Sequence, residues 1–148
     1  MTISERINQD IKDAMRARNR EALGVLRLLK ASLENEKLER GGTLSQEDEI
    51  TAIAREMRKR QESLEDFKKA DRQDLVEGVQ GEIELIKGYL PEQLSEEEIR
   101  EKVATIIDEV GATSMKDFGP VMGKAMAELR GQTDGDVVSD IAKEIINQ

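Results

Sequence analysis

Apolar residues recur along this chain at every third or fourth position, the spacing that places them on one face of an α-helix. In the first part of the chain the stripes are Leu23, Leu26, Leu29 and Leu33, widened by Val25 and Leu28; Ile50, Ile53, Met57, Leu64 and Phe67; and Val76, Val79, Ile83, Ile86 and Leu90. The later, shorter stripes are Ile99, Val103, Ile106 and Val110; Met115, Phe118, Met122, Ala125, Met126 and Leu129; and Val137, Val138, Ile141 and Ile145. No segment alternates in the way a half-buried β-strand does. The pattern predicts an all-α protein.

Capping residues indicate where these helices begin and end. Four times a Ser or Thr precedes an acidic residue by three positions, so that each side chain can bond the other's backbone N–H; these segments start at Thr2, Ser45, Ser95 and Ser114. Glycines able to end a helix in the left-handed conformation are Gly41, Gly42, Gly111 and Gly131. The predicted helices span about residues 3–18, 20–40, 46–70, 72–89, 96–110, 115–130 and 135–147.

Charge and a proline together divide the chain near residue 90. Residues 1–90 hold 17 basic and 19 acidic side chains, whereas residues 91–148 hold 6 and 13. Pro91 disfavours a helical conformation at Leu90 and has no backbone N–H to donate. We therefore predict an N-terminal domain of about four helices, residues 1–90, and a small C-terminal domain of three helices, residues 91–148.

The composition excludes several kinds of chemistry. The chain has no histidine and no cysteine, which excludes imidazole bases, thiolate nucleophiles and the usual zinc sites. Its glycines do not form a phosphate-binding loop, and no segment has the oxygen ligands of a calcium loop. No apolar run approaches the ~20 residues that span a bilayer, and the N-terminus has no apolar signal stretch. We expect no catalytic residue, metal, cofactor or membrane contact, and a cytoplasmic location.

Basic residues are concentrated locally although the net charge is -9. Candidates for contact with RNA phosphates are Lys12, Arg16, Arg20, Arg27, Lys30, Arg55, Arg58, Lys59, Lys116 and Lys124. The alternative, a solvated face balanced by nearby acids, stays open at this point. Aromatic residues make up only 2% of the chain, which argues against stacking on single-stranded bases. RNA would then be bound through its backbone and shape, and DNA is not an expected partner.

Several segments together resemble the GatB/YqeY family over essentially the whole chain. They are residues 22–31 (ALGVLRLLKA), 89–95 (YLPEQLS), 111–119 (GATSMKDFG), 121–124 (VMGK) and 131–135 (GQTDG). The residues that match the family's motifs are Pro91, Gly119, Gly123, Gly131, Asp134 and Gly135. Thr133 departs from the alanine that the family more usually shows, a change from one small residue to another.

This resemblance implies two helical parts, the second similar to the tail of the GatB subunit of the tRNA-dependent amidotransferase. That enzyme converts misacylated Glu-tRNA or Asp-tRNA into Gln-tRNA or Asn-tRNA with glutamine as nitrogen donor. In it, the tail is associated with tRNA recognition and the chemistry takes place in a separate domain. The carbon–nitrogen ligase activity associated with the family, with glutamine as amido donor, would thus belong to the larger enzyme.

The sequence therefore predicts a tRNA-binding or amidotransferase-associated module without stand-alone activity. A protein partner in translation or aminoacyl-tRNA metabolism fits the same resemblance. The alternative is an interaction adaptor whose acidic C-terminal domain docks a basic partner. A stand-alone ligase is disfavoured because it would need a site for ATP.

Overall fold

The computed structural model describes residues Met1–Gln148 and contains seven α-helices and no β-strand, so the all-α prediction is confirmed. The helices are α1 (Ile3–Ala17), α2 (Arg20–Glu39), α3 (Gln46–Lys69), α4 (Gln73–Lys87), α5 (Glu96–Val110), α6 (Phe118–Glu128) and α7 (Gly135–Ile146). A short 3₁₀ turn, Met115–Asp117, precedes α6. None of the helices combines the length and apolar composition that crossing a bilayer requires.

The helix starts follow from the capping residues, as predicted. The Thr2, Ser45, Ser95 and Ser114 segments all form reciprocal capping boxes; the first three begin α1, α3 and α5, and the Ser114 box begins the 3₁₀ turn. At the other end of a helix, Gly111 closes α5 in the left-handed conformation with φ 75°. Each start thereby satisfies backbone donors that have no partner inside the helix.

The prediction of one helix over residues 115–130 was wrong in detail. The structure has the 3₁₀ turn first, and α6 begins only at Phe118. Pro120 lies in the first turn of α6, where a helix does not need the backbone N–H that proline lacks. In a helix begun at Met115, the same proline would fall in the second turn and would leave the Lys116 carbonyl without its donor.

The first compact unit, Met1–Pro91, contains α1 to α4. Each helix packs against the next one along the chain, and α1 also packs against α3. Ile7, Leu29, Ile53 and Ile86 are fully buried at the centre. Leu28, which the sequence placed at the edge of the α2 stripe, is instead 55% exposed because one helical step turns it about 100° away from Leu29.

The second compact unit, Glu92–Gln148, contains α5, α6 and α7, which all pack against one another. The predicted stripe on α6 was shifted: Met115 is 41% exposed and Met122 is only half-buried. Val121, which the stripe omitted, is fully buried and is followed at four-residue spacing by Ala125 and Leu129. The late start of α6 therefore leaves Val121 rather than Met122 at the centre of the core.

Candidate nucleic-acid interface

Half of the basic candidates lie on the hairpin formed by α1 and α2. Two residues, Arg18 and Asn19, connect the helices, and the Asn19 side chain accepts a hydrogen bond from the Ala22 backbone N–H at 3.1 Å. The candidates on this hairpin are all exposed: Lys12, Arg16, Arg20, Arg27 and Lys30. By the 1.5 Å rise of a helix, they all lie within about 15 Å of the turn along their helix axes.

Most of these hairpin cations have no carboxylate partner within the chain. Lys12, Arg20, Arg27 and Lys30 form no ion pair within the chain. Arg16 is 3.9 Å from the Asp13 carboxylate, and both side chains are more than half exposed. An exposed pair of this kind contributes little and is easily exchanged for another anion. The hairpin therefore presents positive charge that internal carboxylates do not neutralise.

The basic candidates on α3 differ from those on the hairpin, because each has a carboxylate partner. Arg55 Nη1 lies 3.2 Å from Glu36 Oε2. Arg58 Nε is 3.2 Å from Glu62 Oε1, and Lys59 Nζ is 3.4 Å from Glu56 Oε1. On α3 the structure thus favours the alternative interpretation, a solvated face that is balanced by its own acids.

Glu36 is the centre of an ionic network between α2 and α3. Its side chain is 6% exposed and accepts a hydrogen bond from Arg40 Nε at 2.7 Å as well as the bond from Arg55. Arg40 also reaches the Asp48 carboxylate at 2.9 Å. Hydrogen bonds from Arg40 and Arg55 hold the pKa of the Glu36 carboxyl below its usual value. Sequence reasoning missed Glu36, although it follows Leu33 at helical spacing on the buried face of α2.

The remaining candidates, Lys116 and Lys124, belong to the second unit. Lys116 lies exposed in the 3₁₀ turn. Lys124 donates a hydrogen bond to the Glu109 carboxylate, and this bond raises the pKa of the Lys124 ammonium. Of the two, only Lys116 has a side chain without a carboxylate partner.

The motif segments near Pro91 and Gly131 meet inside the second unit. The Leu94 backbone N–H donates to the Gln132 carbonyl at 3.0 Å. Gln93 Nε2 donates to the Gly131 carbonyl at 2.5 Å, and Gln132 Nε2 donates to the Glu92 carbonyl at 3.3 Å. Gly131 has φ 77°, which only glycine adopts without strain. These bonds tie the segment before α5 to the loop before α7, so this motif has a structural role.

The other motif residues divide between caps and open surface. Asp134 caps α7 by accepting from the Asp136 backbone N–H at 3.0 Å, and a Cβ on Gly135 would lie 3.4 Å from Met126 Cε. Gly119 and Gly123 are not points of close approach between helices. A Cβ on Gly123, or on Gly119, would meet nothing within 4 Å.

A second cluster missed by sequence reasoning joins α1 to the end of α4. The Tyr89 hydroxyl, on a residue 7% exposed, donates to the Asp10 carboxylate. The Arg6 guanidinium lies 4.9 Å from the centre of the Tyr89 ring and donates to the Gly88 carbonyl at 2.7 Å. Burial, with Asp10 beside it, raises the pKa of the Tyr89 phenol. We interpret the cluster as structural, since each of its polar groups has a partner inside the unit.

No group of three or more acidic side chains is arranged to hold a metal ion. A groove of about 330 Å³ between α2 and α3 and another of about 370 Å³ in the second unit are lined mainly by charged side chains. Neither groove concentrates unpaired basic side chains as the hairpin of α1 and α2 does at Lys12, Arg20, Arg27 and Lys30.

Comparison with known proteins gives matches over nearly the whole chain. Residues 4–146 match the family described as Yqey-like protein. The chain is 28% identical over 144 residues to Altered inheritance of mitochondria protein 41, mitochondrial, from Pyrenophora tritici-repentis, an alignment that covers 95% of this chain and 79% of that protein. A protein of the same name from Lachancea thermotolerans is 32% identical over 107 residues, covering 70% of this chain and 57% of the relative.

A shorter match involves a much larger protein. One of the subunits of Glutamyl-tRNA(Gln) amidotransferase from Halobacterium salinarum is 41% identical over 58 residues, which cover 36% of this chain. This stretch is only 9% of the amidotransferase polypeptide, so whatever the remainder does lies outside the similarity.

Proposed function

This chain belongs to the YqeY-like family, as its motifs predicted, and on that basis we propose that it is a tRNA-binding, amidotransferase-associated module without a catalytic centre of its own. The observation that carries the proposal is the basic hairpin of α1 and α2, whose cations at Lys12, Arg20, Arg27 and Lys30 lack internal carboxylate partners. Phosphate binding needs such locally available charge, even in a protein that is acidic overall.

The short similarity to the amidotransferase polypeptide supports the association with tRNA metabolism. Its 58 residues are close to the length of the unit Glu92–Gln148, and we assign the similarity to that unit. The name of the amidotransferase includes a tRNA. A small domain shared with so large a protein fits a role in recognition rather than in chemistry.

A binding titration with tRNA at low salt tests the proposal. Replacing Arg20 and Lys30 with Ala removes two unpaired cations, and we expect roughly tenfold weaker binding and a shallower salt dependence, because fewer counterions are released. The matched control replaces Lys68 and Lys69, two exposed cations at the far end of α3, and should change the affinity much less. Absence of saturable tRNA binding, or an equal loss in the control, would contradict the proposal.

The second candidate function, an adaptor for a basic protein, has its own supporting observation. A groove in the second unit is lined by Glu98, Glu101 and Glu128 together with Lys102 and Thr105. A pull-down performed with and without nuclease separates the two functions. An adaptor keeps its partner after RNA is destroyed and loses it when the three glutamates become Gln, whereas an RNA-dependent partner is lost in the nuclease-treated sample.

The cytoplasmic location predicted from the sequence stays a prediction. The fungal relatives carry the word mitochondrial in their names. Subcellular fractionation of the native protein would decide between these compartments.

A further inference from the structure

The outward face of α2 carries apolar side chains that nothing in the chain covers. Leu28 is 55% exposed and Leu38 is 78% exposed. Three more exposed residues lie on the same face: Ala31 and Asn35 between the two leucines, and Gly24 one turn before Leu28. The spacing of these five positions alternates between four and three residues, which is the pattern of a coiled-coil seam. This outer stripe lies opposite the core face of α2.

We propose that the outer stripe of α2 pairs with the same stripe of a second copy of this chain, with the two helices antiparallel. The charges along one edge of the stripe are self-complementary in this arrangement. Arg27 and Glu34 are exposed and form no ion pair within the chain. With the two-fold axis between positions 30 and 31, Arg27 of each copy faces Glu34 of the other. Of the four unpaired hairpin cations, only Arg27 gains a carboxylate partner through this contact.

A parallel pair does not fit these charges. In a parallel coiled coil, the position before one seam residue faces the position after a seam residue of the partner. Glu34 would then face Glu39 of the other copy, two carboxylates with no cation between them. The charge pattern therefore selects the antiparallel arrangement.

The surroundings of the stripe leave room for the partner helix. The α2–α3 groove of about 330 Å³ opens beside the stripe, and Leu28, Ala31 and Asn35 form part of its α2 wall. Asn35 is the one polar residue in a seam of small and apolar side chains. A single buried amide of this kind restricts the register and the number of helices that can associate. The stripe is about 21 Å long by helix rise, so the dimer is expected to be weak and concentration-dependent.

Sedimentation equilibrium of the full chain, freed of RNA, over a concentration series up to about 1 mM tests the proposal. Replacing Leu28 with Glu should weaken self-association roughly tenfold or more, since it removes an apolar contact and adds a charge to the seam. Met15, on α1, has the same 55% exposure as Leu28 but lies off the stripe, so Met15→Glu is the matched control and should leave self-association unchanged. A chain that stays monomeric throughout the series overturns the proposal.

A charge swap identifies the pairing. Arg27→Glu alone and Glu34→Arg alone should each weaken the dimer, whereas the double variant restores opposite charges and should recover it. Additive weakening in the double variant would exclude this contact.

The absence of native cysteine allows a direct test of helix direction. A cysteine at Ala31 lies near the two-fold axis and should form a disulfide between copies on mild oxidation. A cysteine at Leu38 would be about 20 Å from its counterpart in the antiparallel pair and should not. Cross-linking through position 38 would exclude the antiparallel arrangement, since a parallel pair brings both positions close to their counterparts. These experiments measure self-association without tRNA, so a negative result would leave the proposed function standing. The tRNA titration measures RNA affinity and tests that function separately.

Discussion

Individual charged residues on the core face fix how the helices of the first unit meet. Glu49 is 4% exposed, and its Oε2 accepts from both the backbone N–H and the hydroxyl of Ser4, at 2.9 and 2.6 Å. A side chain of α3 thus satisfies donors at the start of α1, where a helix has backbone N–H groups without partners. Glu36 similarly joins α2 to α3 through Arg40 and Arg55. Such groups are costly unless paired, so an arrangement of the helices that separated either glutamate from its partners would be disfavoured.

Tyr89 offers a prediction that can be read optically, because the chain has one tyrosine and no tryptophan. The pKa of Tyr89 is raised, so the phenol in the folded protein should ionise above the ordinary value of 10.0. The folded state favours the neutral phenol, so this contribution to stability is complete below about pH 10 and is lost as the pH rises through the folded pKa. Absorbance at about 295 nm, measured in buffer and in urea, gives the two midpoints.

The Asp10→Asn variant is the control for that titration. It removes the negative charge beside the hydroxyl while keeping the burial of the ring, so the Tyr89 midpoint should fall part of the way back toward the unfolded value. Identical midpoints for the parent protein in buffer and in urea would show that Tyr89 is not held as described.

Among the helices, α6 shows how the position of a helix start sets which residues are buried. The 3₁₀ turn and Pro120 delay the α-helix to Phe118. Its fully buried row is then Val121, Ala125 and Leu129. Gly119 and Gly123 face open space, where an added Cβ meets nothing.

Substituting Asp at neighbouring positions of α6 tests this arrangement. Val121→Asp buries an unpaired carboxyl group and should cost about 3 kcal/mol or more, enough to unfold much of a small unit. Met122→Asp places the carboxylate at a half-buried position that water can reach, and should cost clearly less. Helical content and thermal melts followed by circular dichroism compare the two, and an equal or reversed effect would contradict the assigned core.

Over its full length, the chain consists of two compact units with different charge. The division falls between Pro91 and Glu92, and each unit has a separate apolar cluster. The unpaired basic hairpin and the outer stripe both lie in the first unit, whereas the acidic groove of about 370 Å³ lies in the second. The proposed contacts with RNA and with a second copy thus involve Met1–Pro91.

We propose that the two units fold independently. Fragments 1–91 and 92–148, expressed separately, should each be helical and melt cooperatively, because each has a core of its own. The smaller fragment should be the less stable, since a short chain buries a smaller fraction of its surface. A fragment 92–148 without helical circular dichroism would show that this unit depends on the first.

The helical class, the capping residues, most helix boundaries and the family could all be predicted from the order of the amino acids. These features depend on neighbours along the chain: a Ser or Thr three residues before an acid forms a cap wherever the helix goes, and apolar spacing selects a helix over a strand. The family could be recognised from its motifs because each motif is a short run of neighbouring residues.

The state of each charge, paired or unpaired, depended instead on how the helices pack. Arg27 and Arg55 are both basic residues on predicted helices and cannot be told apart along the chain. Yet Arg55 is paired with Glu36, nineteen residues away, while Arg27 is unpaired. The same holds for Asp10 beside Tyr89 and for the exposure of Leu28, since pairing and burial depend on which helices meet. Helix packing fixes those contacts, and the residues that they join are distant in the sequence.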